Sequence, residues 1–255
     1  MPLIRKKIIA FFCLGLCSFN SSNIANTFKC NDTTPSANEN GFAVVELFTS
    51  EGCSSCPPAD AVAAGLLQDY TKNVFVLGFH VDYWNYLGWK DNFSNSAYSK
   101  RQQEYGNIFH LNSVYTPQVI VNGADEFSGS DKNKLYSAVK KSLQQSSTDF
   151  IKISALQDGQ KINIIYETGD DDVKLNFALV QLHAETKVQR GENAGSTLRH
   201  VNVVRDFITI DPAQKNADVQ LLLPLGVTKS DCAVVAFVQN GKSWKITAAA
   251  KCGIQ

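Results

Sequence analysis

An apolar run, Phe42-Ala43-Val44-Val45-Glu46-Leu47-Phe48, leads into two cysteines, Cys53 and Cys56, with only Ser54 and Ser55 between them. A helix-compatible segment, Pro58–Tyr70, follows, with Val62, Leu66 and Leu67 on one face. A strand, a cysteine pair and then a helix place the first sulfur beside the free N–H groups of a helix start, where a thiolate is stabilised. The thiolate is the nucleophile of disulfide exchange. The pattern therefore predicts a redox pair in which Cys53 attacks and Cys56 resolves. The amides of Ser54, Ser55 and Cys56 and the two serine hydroxyls are expected to face the Cys53 sulfur. Pro57 and Pro58 lack N–H groups, so the regular helix should start at about Pro57, where proline is tolerated. A CxxC is also half of a zinc site, but no second CxxC or HxxxH supplies the other ligands. It can also be a small structural disulfide.

The rest of the first half alternates in type. Val74–Asp82 reads as a second buried strand and Ser94–Phe109 as a polar helix. Gln118–Val121 reads as a short strand, Asn122-Gly123 as a hairpin turn and Phe127-Ser128 as the returning strand. Asp131–Gln145 reads as an amphipathic helix with Leu135, Val139 and Leu143 on its inner face. This order is that of the thioredoxin arrangement. Beyond residue 148, segments 150–156, 161–167, 173–182, 198–210, 219–223, 233–239 and 244–250 are all strand-like, with turn signals such as Asp158-Gly159 and Asn240-Gly241 between them. The expected fold is an α/β thioredoxin-like N-terminal domain over residues 41–148, followed by an all-β antiparallel sandwich domain over residues 149–255.

Residues 1–25 read as a signal peptide: Arg5, Lys6 and Lys7, then the apolar run Ile8–Phe19, too short to span a membrane, then Ala25 as the last residue before cleavage. Residues 26–40 are a polar lead-in. Cleavage would move the formal charge from zero to minus three and leave Cys30, Cys53, Cys56, Cys232 and Cys252. No basic patch points to nucleic acid, and no later segment points to a membrane span. Export to the periplasm or beyond permits disulfides. Cys232 and Cys252 stand at the open end of the hairpin turned at Asn240-Gly241, and a bulge that corrects the register would let them form a structural disulfide, leaving Cys30 unpaired.

Several motifs occur in order: Val45 to Asp60 (VELFTSEGCSSCPPAD), His80-Val81-Asp82-Tyr83-Trp84, Leu87-Gly88-Trp89-Lys90-Asp91, Tyr115-Thr116-Pro117-Gln118, Val121-Asn122-Gly123 and Asn202-Val203-Val204-Arg205. Together they resemble a bacterial secreted family catalogued as domain of unknown function 1223, over roughly residues 42–255. The resemblance implies a thioredoxin-like first domain and supplies no substrate. Likeness to thioredoxin-like proteins also implies a cis Thr116-Pro117 bond that turns the Thr116 backbone outward to pair with an extended substrate. The alternative is a trans proline that merely opens a strand.

In a parallel βαβ unit the functional edge lies at the carboxyl ends of the strands. Cys53 follows the first strand, His80, Asp82, Tyr83 and Trp84 end the second, and Pro117 opens a third that runs the other way. His80 and Asp82 share a face and are candidates for proton transfer; a hydrogen-bonded structural pair is the other reading. Glu46 is either a buried proton acceptor for Cys56 or a residue facing water. Tyr83, Trp84, Tyr86 and Trp89 are candidates to wall a groove or to pack. Arg101 is expected to pair with Asp91 or Glu104, and Arg199, His200 and Arg205 to lie at the surface or between domains. The expected function is a periplasmic or secreted thiol–disulfide oxidoreductase with no cofactor, acting on a protein or small-molecule thiol or disulfide and reset by a redox partner. Two alternatives remain: copper or zinc binding or delivery through Cys53, Cys56 and His80, and a non-catalytic binding module stapled by its CxxC.

Overall fold

All seven residues of strand β1 (Ala43–Thr49) are buried, as a run apolar on both pleat faces requires. β1 lies parallel to β2 (Val74–His80), in register from Ala43↔Val74 to Thr49↔His80. The crossover is helix α1 (Cys56–Asp69), which presses Ala59, Ala63 and Leu66 onto Val45 and Leu47. Its prolines fall in the first turn, where the missing N–H groups would have had no intrahelical partner. Helix α2 (Ser96–Ile108) starts at Asn95, whose side chain accepts from the Ala97 N–H at 3.0 Å. β3 (Gln118–Val121) pairs antiparallel with β1 and with β4 (Asp125–Ser128). Helix α3 (Lys132–Leu143) is capped by Asp131, which accepts from the Lys134 N–H at 2.9 Å.

This computed structural model describes residues 41–147, 149–169 and 173–255. The expected signal peptide, the lead-in and Cys30 lie outside the described residues.

The remaining strands are β5 (Ile151–Asp158), β6 (Lys161–Thr168), β7 (Lys174–Lys187), β8 (Thr197–Ile210), β9 (Asn216–Leu222), β10 (Cys232–Gln239) and β11 (Ile246–Gly253). They overturn the expected fold class. One mixed sheet of eight strands runs β11-β10-β7-β8-β2-β1-β3-β4 through both halves of the chain. The fold is therefore mostly β, and it is not a thioredoxin-like α/β domain followed by an all-β sandwich. The join is β2 against β8, parallel, at Gly78↔Val203. No local pattern announces that pairing, because its partners are remote in sequence. The core is shared as well: Val44, Phe48 and Phe79 lie in one apolar cluster with Val180, Val204, Val235 and Phe237. The three strands β5-β6-β9 form a second sheet that covers Leu175, Phe177, Val234, Ala236 and Ala250 of the large one.

The β3–β4 turn binds the halves together again. Gly123 has φ +61°, and a Cβ there would sit 1.9 Å from the Trp244 carbonyl oxygen, so no other residue fits. Beside it the Ile246 N–H donates to the Asn122 carbonyl at 2.9 Å.

The expected Cys232–Cys252 disulfide is a further correction: the two residues are not bonded to each other. The ladder does shift at Val238/Gln239, but it sets Cys252 opposite Val234. Cys232 is then a diagonal neighbour, and diagonal pairs stand about 7–8 Å apart, beyond usual disulfide reach. Burial pushes the Cys232 thiol up to about 11, which keeps it protonated and unreactive.

Candidate functional site

Cys53 and Cys56 form a disulfide with Cα atoms 5.5 Å apart. Cys56 opens α1, and Cys53 lies in the turn after β1. Both are buried, at 1% and 0% exposure, while Ser54 and Ser55 between them face solvent. The Ser55 hydroxyl lies 3.3 Å from Cys53 Sγ. The Thr116 carbonyl oxygen lies 3.9 Å from the same sulfur, and the Thr116-Pro117 peptide is cis.

The amides are arranged differently from the sequence-based expectation. The Ser54 N–H donates to Glu192 Oε2 at 3.0 Å, and the Cys56 N–H donates to the Cys53 carbonyl at 3.2 Å. Glu192 belongs to the loop between β7 and β8. The next residue, Asn193, donates from Nδ2 to the carbonyls of Glu51 at 2.8 Å and Cys53 at 2.9 Å. A segment from the second half of the chain thus holds the backbone around the first cysteine.

A chain of side-chain hydrogen bonds sets the Thr116 segment. Trp84 Nε1 donates to Thr116 Oγ1 at 2.8 Å. Gln102 Nε2 donates to the Tyr115 carbonyl at 2.7 Å and to Gln118 Oε1 at 2.8 Å, and it is backed by the Tyr83 hydroxyl, which donates to Gln102 Oε1 at 3.1 Å. Burial pushes the Tyr83 phenol up to about 12, against the opposing effect of its hydrogen bonding with Gln102 and Thr116, so it stays a donor. Of the expected aromatic cluster, Trp84 reaches Thr116 and Trp89 reaches Glu51 beside the dithiol, whereas Tyr86 is 80% exposed and takes no part.

Glu51, just before Cys53, and Asp60, one turn after Cys56, belong to a buried ionisable cluster. His80 Nδ1 is 2.7 Å from Asp91 Oδ2, which also accepts the Glu51 N–H at 2.9 Å. Burial works against the Asp91 carboxylate, but the His80 charge and hydrogen bond and the amides of Glu51 and Phe93 prevail and hold it below the usual range. The His200 ring lies 4.8 Å from that of His80, edge to face. His200 itself bridges two carboxylates, with Nε2 3.5 Å from Glu51 Oε1 and Nδ1 3.4 Å from Asp60 Oδ2. These are ion-pair contacts, since neither nitrogen makes a hydrogen bond. Burial alone would lower the basicity of His200, but Asp60 and Glu51 outweigh it and raise its pKa to about 9.

The expected roles of several residues need correction. His80 pairs with Asp91 and not with Asp82, whose carboxylate accepts from Ser99 Oγ at 2.5 Å. Glu46 is buried but does not reach Cys56; it takes Arg101 Nε at 2.6 Å and the Tyr105 hydroxyl at 2.5 Å. Arg101 accordingly pairs with neither Asp91 nor Glu104. Arg199 is exposed beside Glu185 at 2.8 Å, Arg205 is half-buried over the Phe93 ring, and His200 is buried between Glu51 and Asp60. Among the described residues no three His, Cys, Asp or Glu side chains are gathered to hold a metal ion. The sequence reading missed Glu51, Asp60, Glu192 and Asn193. Glu51 and Asp60 are acidic residues that flank the CxxC, a signal present in the sequence, whereas Glu192 and Asn193 carry no local signal.

The sequence profile described as a protein of unknown function, DUF1223, matches residues 44–239. The chain belongs to that family. The matched span holds the dithiol, the Thr116-Pro117 segment and the whole buried cluster, but it stops short of β11. A solved protein of Agrobacterium tumefaciens is 29% identical, over 85% of this chain and 96% of its own, with a TM-score of 0.63. HBP35 of Porphyromonas gingivalis is 17% identical, over 86% of this chain and 77% of its own, with a TM-score of 0.55, and is similar in fold. No curated protein matches the chain. Among the described residues no helix is long and apolar enough to cross a membrane.

Proposed function

We propose that this DUF1223 protein is an exported thiol–disulfide oxidoreductase working through Cys53 and Cys56. The observation that carries the reading is the disulfide at the head of α1 with the Thr116 carbonyl 3.9 Å from Cys53 Sγ. An exchange partner arriving along Thr116 would meet this sulfur first. In the oxidising direction a substrate thiolate attacks Cys53 Sγ and Cys56 leaves as the thiolate. A second substrate thiolate then breaks the mixed disulfide, so the substrate leaves oxidised and the protein keeps two electrons and two protons as a dithiol. The reducing direction is the same sequence reversed. Thr116 and Pro117 form the platform, while His80 and Asp82 take no direct part and support the walls. The basic start and apolar run of residues 5–19 and the presence of a disulfide support the periplasm or the exterior as the compartment.

One observation favours a second reading. Both cysteines are almost wholly covered, as in a structural staple. Equilibration of the mature protein with glutathione buffers, with and without copper or zinc, separates the readings. A redox site titrates reversibly between about −270 and −120 mV, whereas a staple lies below about −300 mV. A metal carrier instead binds the ion tightly once reduced. Failure to equilibrate at any attainable glutathione ratio overturns the oxidoreductase reading.

A further inference from the structure

Ser54 follows Cys53, and its N–H is the first amide available to a Cys53 thiolate. In the disulfide form that N–H is already taken by the Glu192 carboxylate, 3.0 Å away. Glu192 is exposed, but the residues on either side of it are held in place. Asn193 beside it is pinned to two carbonyls of the dithiol loop, and on its other side Gly191, at φ +77°, lies so close to Trp89 that a Cβ there would be 3.3 Å from Trp89 Cβ. The Ser54 hydroxyl and amide together hold the Glu192 carboxyl below its usual range, so the contact is with the anion.

We propose that Glu192 is a tuning residue which restrains the acidity of Cys53 by occupying the Ser54 amide and placing a negative charge at the rim of the dithiol. In the reduced protein, thiolate and carboxylate compete for one donor and repel each other. The thiolate is thereby destabilised, and with it the dithiol form, so the site becomes more reducing. The Ser55 hydroxyl and the Thr116 carbonyl touch Cys53 Sγ, Trp84 holds Thr116, and the charged groups tied to the same stretch of chain are Glu51, Asp60, His80, Asp91 and His200. All of them are unchanged when Glu192 alone is altered. The effect on redox poise rests on the oxidoreductase reading above, whereas the effect on acidity does not.

The test is the pH profile of Cys53 alkylation by iodoacetamide, read by peptide mass mapping on the reduced mature protein. Glu192→Gln keeps the shape and removes the charge; Glu192→Ala also frees the amide. The midpoint is expected to fall by roughly half a unit to one unit in the first and further in the second, because an exposed charge acts at partial strength. The difference from wild type should shrink at high salt. Glu167→Gln, which removes an equal charge from the Lys152 pair on β6, is expected to shift nothing. An unchanged or raised midpoint in both Glu192 variants overturns the proposal, as does an equal shift in Glu167→Gln. The glutathione potential should rise in parallel with the fall in the midpoint. A protein that equilibrates with glutathione but shows no midpoint shift sinks this proposal alone. A midpoint shift without any equilibration upholds the tuning of acidity and sinks the oxidoreductase reading.

Discussion

Arg101 forks onto Glu46, with Nε 2.6 Å from Oε2 and Nη2 3.0 Å from Oε1, inside a cage of five aromatic rings whose centroids lie 5.0 to 5.8 Å from the guanidinium carbon. Phe79 and Tyr105 come from the first half of the chain, and Phe207, Phe237 and Trp244 from the second. Burial opposes the guanidinium charge, but Glu46 overcomes it and holds Arg101 charged. Removing one partner of such a pair strands the other, at about 3–5 kcal/mol. Glu46→Gln should lower stability to urea by that amount, and the double variant Glu46→Leu, Arg101→Met by much less. The Cys53 alkylation midpoint should stay unchanged in Glu46→Gln. A displaced midpoint would restore Glu46 as a proton acceptor for the dithiol.

His200 makes stability depend on alkaline pH. Its pKa rises from 6.5 in the unfolded chain to about 9 in the fold. The folded form binds the proton more tightly, so this contribution is complete below about pH 6.5 and is lost as pH rises through 9. The raised pKa corresponds to on the order of 3 kcal/mol. Denaturant titrations at pH 6 and pH 9.5 should show the loss in wild type, and His200→Gln should flatten it. Parallel pH curves for the two proteins would mean that His200 is not a buried imidazolium.

Gly123→Ala should be among the most damaging small substitutions. It forces a positive φ on a residue with a Cβ and drives that Cβ into the Trp244 carbonyl. A loss of several kcal/mol, or failure to accumulate folded protein, is expected. Gly159→Ala, also at positive φ but with open space around it, separates the two causes, because it should cost only about 1 kcal/mol.

Asn193→Ala removes both hydrogen bonds to the dithiol loop at a cost of about 1–3 kcal/mol. It should also speed reduction of Cys53–Cys56 by dithiothreitol several-fold, because the backbone around Cys53 is loosened. A lower melting temperature with an unchanged reduction rate would show that the loop is a brace and does not limit access to the sulfurs.

Much of the local order was legible in the residues. The span 118–121 is β3 as read, and the second strand and the three helices fall within two or three residues of expectation, because period, caps and turn chemistry are local signals. What joins the elements was not legible. Gly78 meets Val203 across about half of the chain, and nothing in either stretch specifies the other. The site divides in the same way. The cysteines and Thr116-Pro117 stand out as motifs, but the partners that complete the surroundings reach them from afar: Glu192 reaches Ser54, and His200 reaches Glu51. Glu46 misled for a related reason. A carboxylate in an apolar strand signals burial, but it does not reveal which of the two sheet faces supplies its partner.

The β2–β8 junction constrains how the chain can be made. Until residues near Val203 have been synthesised, the outer edge of β2 has no neighbour, and Arg101 lacks three of its five rings. Long-range pairing of this kind is slow to form and leaves an open strand edge exposed in the meantime. The cysteine loop, by contrast, is complete early, while Glu192 and Asn193 arrive late. During biogenesis the cysteine pair is therefore in place for a period before the two side chains that hold its backbone can reach it.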